Sequence, residues 1–123
     1  MSEESEHKGG APAVVSHPAY RAACELGAWV QELEDRFPPD EISVLYRKLQ
    51  GAAIDIGARL AEGIDRDGVD TQRRLSETTR RAARGKLSEV RHYLETAAGR
   101  FLVDEAQMRS FEEHEGKIRP WLV

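Results

Sequence analysis

Apolar residues recur along most of this chain at steps of three and four, the spacing that gathers them on one face of a helix. From about Pro18 the stripe runs Tyr20, Ala23, Leu26, Val30, Leu33 and Phe37. Ser16 suits the N-cap of this first helix, and Pro18 suits its first turn, where a missing N–H costs nothing. Phe37-Pro38-Pro39 should stop it, because a residue before proline is pushed out of the α region.

Asp40 is placed to cap a second helix. Its stripe is Ile42, Leu45, Leu49, Ala52, Ile56 and Leu60, with Tyr46 and Ala53 beside it. Gly51 and Gly57 each cost up to about 1 kcal/mol relative to alanine within a helix. Such small residues are expected to admit a neighbouring helix. Glu62-Gly63 marks the predicted end, with Gly63 as C-cap. The link 63–70 looks superficially like a calcium loop, but it lacks the third acidic ligand and the glutamate at position twelve.

Asp70 is the predicted cap of a third helix over 71–98, whose stripe is Leu75, Thr79, Ala83, Leu87, Val90, Leu94 and Ala97. A fourth amphipathic segment follows from Asp104. It carries Met108, Phe111 and Ile118 on its apolar side, with Glu115 interrupting. Pro120 ends it ahead of Trp121, Leu122 and Val123. No strand-like alternation is present. These patterns predict an all-α protein, an antiparallel up-and-down four-helix bundle over 17–123. Residues 1–16 lack periodicity and are expected to form a disordered tail.

Composition narrows the function. The 123 residues carry a formal charge of −4, which argues against non-specific binding to long nucleic acid. No apolar run reaches the roughly 18–20 residues of a membrane span, and the first residues lack a secretory pattern. A single cysteine, Cys24, fits a reducing, cytoplasmic setting and is expected to be a small buried hydrophobe.

Charge is nevertheless uneven. Residues 73–91 hold seven basic side chains against two acidic ones. On a helical wheel Arg73, Arg80, Arg84 and Arg91 share one line, with Arg74 and Arg81 beside it. Three readings stay open for these six arginines. They are a solvated face with ion pairs such as Glu77–Arg81, a subunit interface answering the acidic residues of another copy, or contact with a nucleic-acid backbone. Acidic complements exist at Glu32, Glu34, Asp35, Glu112, Glu113 and Glu115. No aromatic residues interleave with the arginines, so a base-stacking platform is not indicated.

Glu89-x-x-His92 is half of a bundle di-iron motif whose second half is missing. Glu89 is therefore read as a structural carboxylate and His92 as a surface residue. Glu62, near the predicted helix end, opposes the helix dipole and is expected to clamp onto a cationic or N–H partner of a neighbouring helix. Trp29 is a packing anchor or an interface residue. Trp121, Leu122 and Val123 should pack on the bundle itself or on a subunit or partner. Nothing forms a catalytic set, and no cofactor or metal is expected.

Four elements fall in order: Phe37-Pro38, then Ala52-Ala53, then Leu60-Ala61-Glu62-Gly63, then Ala83-Arg84-Gly85 with Leu87, Glu89 and Val90. In this the chain, over about 20–103, resembles the four-helix-bundle proteins encoded in intervening sequences of bacterial large-subunit ribosomal RNA genes. The accessory variability determinants of diversity-generating retroelements belong to the same superfamily. Two polar positions depart from the family pattern, with Arg59 in place of Asn and Lys86 in place of Ser. The resemblance implies a non-enzymatic bundle that assembles as a ring-shaped homo-oligomer, typically a pentamer, and the function expected on that architecture is an adaptor for a protein partner. The alternative it implies is an accessory protein binding RNA or DNA beside a reverse transcriptase or ribosomal RNA.

Overall fold

A computed structural model of the chain describes residues 14–68 and 70–123, with backbone alone for 41–43. Four long helices dominate: α1 (Pro18–Glu32), α2 (Arg47–Asp67), α3 (Glu77–Gly99) and α4 (Glu105–Ile118). No strand occurs among the described residues. Helix α2 packs against both α1 and α3, and α4 lies on α1.

The side-chain contacts fix the helix directions. At one end, Arg36 after α1 donates to the Leu102 carbonyl at 3.1 Å and pairs with Asp104, the cap of α4, at 3.6 Å. At the other end, His17 before α1 meets the Trp121 ring after α4, at 5.1 Å between centroids. Neighbouring helices therefore run antiparallel in a bundle-like packing around one core. The described apolar stripes supply that core: every residue expected on the α3 stripe is buried, as are Leu26, Val30, Leu49, Ile56, Leu60, Phe111 and Ile118.

Several helix ends differ from expectation. His17, not Ser16, caps α1, its Nδ1 accepting from the Ala19 N–H at 3.1 Å. An imidazole nitrogen can replace a hydroxyl here because the cap needs only an acceptor. Residues 14–16, assigned to the tail, are helical, and Val14 is buried against the core. The rest of the expected tail lies outside the described residues. Helix α1 stops at Glu32, and a 3-10 turn, Glu34–Arg36, carries the chain to Phe37.

Asp40 does not stand ahead of the second helix. It lies within a short α-turn, Pro39–Glu41, which leads through a π-helical stretch, Ile42–Tyr46, into α2. Tyr46 anchors this irregular entry by donating its hydroxyl proton to the Val30 carbonyl at 3.1 Å.

The largest shift is at Gly63. It caps nothing, since α2 continues to Asp67 and ends at Gly68, whose φ of 100° suits glycine. Gly63 is buried where α2 crosses the start of α3. A Cβ there would overlap the Thr79 side chain, lying 2.6 Å from Cγ2. Close helix approach thus falls on Gly63. Gly51 faces open space, and Gly57 has room for a Cβ.

The polar link is displaced correspondingly along the chain, and α3 begins only at Glu77. Asp70 accepts from the Gln72 N–H in a local turn, and Ser76 caps α3 by accepting from the Thr79 N–H at 3.2 Å. Serine wins because Leu75, just before it, is already buried in the core. Asp104 caps α4 as expected, in a reciprocal capping box with Gln107.

Candidate interaction surfaces

The six arginines singled out by sequence do not form one outward line. Arg73 and Arg74 lie in the link before α3, because that helix begins at Glu77. Arg73 contacts the Asp67 carbonyl at 3.5 Å, and Arg74 donates to the Val123 carbonyl at 3.1 Å. Arg80 donates to the Leu75 carbonyl at 2.9 Å, and Arg84 donates to the Leu122 carbonyl. Arg81 pairs with Glu77 at 2.9 Å on the open surface. Four of the six thus bind main-chain carbonyls.

Arg91 behaves differently. It donates to Glu115 at 2.6 Å, lies over the Phe111 ring at 5.2 Å, and has Glu95 at 3.7 Å. Glu115 is buried, and its second oxygen accepts from Arg119 at 2.5 Å. One carboxylate therefore holds two guanidinium groups between α3 and α4. The hydrogen bond to Glu115 raises the Arg91 pKa above its ordinary value, against the opposing effect of burial. Sequence reading treated Glu115 as an interruption of the apolar stripe and as a surface complement. The available signal was its position one turn beyond Phe111, on the buried side of the helix.

The chain end packs on its own bundle. Leu122 is buried, Trp121 is half-buried against His17, and Val123 is exposed. Burial lowers the His17 pKa, and burial followed by Lys117 lowers that of His114, which sits against Trp29 at 5.6 Å.

Glu62 does not clamp a neighbouring helix. It is exposed and has no side-chain partner among the described residues, because the extra turn of α2 removes it from the terminal carbonyls. Glu89 pairs with Lys86 at 3.4 Å, and Lys86 also reaches Asp55 of α2 at 3.5 Å. His92 is exposed.

Cys24 is not buried. It lies on an open, apolar groove of about 360 Å³ between α1 and α2, lined by Tyr20, Cys24 and Gly27 on one side and Ile54, Ala58 and Ala61 on the other. Ile54 is 61% exposed on this face. The helical stripe puts Cys24 one residue beyond Ala23, and that offset rotates it from the core to the groove. Among the described residues no helix is long and apolar enough to cross a membrane.

Comparison with known proteins gives one family. The model of the 23S rRNA-intervening sequence proteins matches residues 16–123. No curated protein and no solved structure gives a significant match.

Proposed function

This chain belongs to the 23S rRNA-intervening sequence protein family, and on that footing we propose that it is a non-enzymatic subunit that assembles with copies of itself. The resemblance drawn from its motifs favours a ring of five in the cytoplasm. Such an assembly acts as a scaffold or adaptor, repeating the same charged strips around its surface for a protein partner. The acidic strips are formed by exposed Glu32, Glu34 and Asp35 and by Glu112 and Glu113.

The observation that carries this reading is the α1–α2 groove. An apolar hollow with an exposed isoleucine is the kind of surface that a partner covers. Arg80, Arg84 and Arg91 are committed to the bundle, which withdraws them from the subunit-facing and the nucleic-acid readings alike and leaves the groove to carry the proposal. Replacing Ile54 by glutamate tests the reading. The variant should keep its helical circular dichroism and lose mass in sedimentation. Assembly equal to that of the unaltered protein would remove the groove from the account.

A second reading has one observation in its favour. Arg66, Arg73 and Arg74 gather around a hollow at the α2–α3 link, which Asp67, paired with Arg66 at 3.2 Å, also lines. This patch would suit an RNA or DNA backbone, in an accessory role beside ribosomal RNA or a retroelement reverse transcriptase. Fluorescence anisotropy with RNA at about 50 mM salt, where backbone contact is strongest, decides it. No binding there eliminates the nucleic-acid reading.

A further inference from the structure

The turn between α3 and α4 places a phenyl group where glycine is the usual choice. Leu102 N–H donates to the Ala97 carbonyl at 2.9 Å and Phe101 N–H to the Ala98 carbonyl at 3.0 Å. This pair of bonds closes a helix through a residue in the left-handed region, commonly glycine. Here that residue is Phe101, with φ of 62°, although Gly99 stands two positions earlier. A Cβ in this conformation crowds the backbone, so a bulky residue is an outlier.

The same side chain carries a second burden. Phe101 is 93% exposed, so its ring gains nothing from the core. The turn around it is firmly held: Val103 is buried, and Arg36 binds both the Leu102 carbonyl and Asp104. Backbone strain and apolar exposure thus fall on one ring that the turn holds outward. The turn's own contacts hold the strained backbone, but the core does nothing to cover the ring. Observed strain of this kind points to a use outside the packing that tolerates it.

A match for this ring exists on another face of the same molecule. The α1–α2 groove is apolar, roomy and open, with small side chains along its floor and Tyr20 and Ile54 at its sides. We infer that Phe101 of one copy inserts into the α1–α2 groove of the next. The inference rests on the self-assembly reading and names the residue that a neighbour contributes. Because knob and groove occupy different faces, each copy gives one contact and receives one. Such a head-to-tail contact closes into a ring or extends into a filament, depending on the rotation between copies.

The test uses full-length protein and two variants, Phe101→Gly and Ala58→Glu, followed by multi-angle light scattering. Each variant alone should fall to the 13.8 kDa monomer. Phe101→Gly should melt no lower than the unaltered chain under conditions where both are monomeric, since glycine accepts a positive φ. Phe101→Asn, also tolerant of that conformation, provides a second variant with an intact fold. Mixed in equal amounts, Phe101→Gly offers an intact groove and Ala58→Glu an intact knob. The mixture should therefore form a 1:1 dimer of twice the monomer mass and stop there. Full assembly by Phe101→Gly and Phe101→Asn, or a mixture that stays monomeric, overturns the knob while leaving self-assembly standing. An unaltered chain that is monomeric at every concentration overturns both.

Discussion

Arg91 and Glu115 meet at 2.6 Å across the α3–α4 packing, and the carboxylate is the buried partner of the two. A glutamine at 115 would lose both charge-assisted hydrogen bonds and set an amide NH2 donor against one of the two guanidinium groups. Glu115→Gln should therefore lower unfolding stability by about 1–3 kcal/mol, measured by urea denaturation. Arg119→Ala should cost under about 1 kcal/mol, because that guanidinium is largely exposed and screened.

Glycine substitutions should act in opposite directions along α2. Gly63→Ala forces the helix away from Thr79 and should destabilise by about 1–3 kcal/mol. Gly51→Ala meets open space and should stabilise by up to about 1 kcal/mol. Denaturation midpoints for the two single variants check both signs.

Stability should fall as the solution is acidified from about pH 7 toward pH 5, partly through His17. Its folded pKa lies below the unfolded value of about 6.5. The unfolded chain therefore binds protons first, and the contribution present above about pH 6.5 is lost as pH falls through the folded pKa. The cap explains the direction in structural terms, since Nδ1 accepts from Ala19 and protonation would turn it into a donor. His17→Asn keeps a capping acceptor and should flatten this slope. His114, also lowered, should account for part of what remains. Urea midpoints at two pH values measure the difference.

The last residues should divide sharply. Leu122→Ala removes a buried side chain and should cost about 2–5 kcal/mol. Val123→Ala changes an exposed one and should fall within about 0.5 kcal/mol. Thermal or chemical melts of the two variants check the contrast.

The bundle's core was legible because burial follows the helical period, and Leu26, Leu49, Leu87 and Leu94 lie where their stripes put them. Caps were less legible. Ser16 and His17, or Asp70 and Ser76, all offer acceptors, and tertiary packing of Val14 and Leu75 chooses between them. The arginines misled for a related reason. A helical wheel gives the direction of Arg84 or Arg91 but not what lies there; a main-chain carbonyl leaves no periodic trace, and the only trace of the buried Glu115 is its place one turn beyond Phe111. Phe101 was illegible for a different reason, since a positive φ on a bulky residue contradicts the local preference that sequence reading uses.

The central claim is that the unaltered chain assembles with itself, and its molar mass in solution tests this most directly. Light scattering over a concentration series should give a multiple of 13.8 kDa, with five copies favoured by the resemblance. A mass of 13.8 kDa throughout would contradict the account.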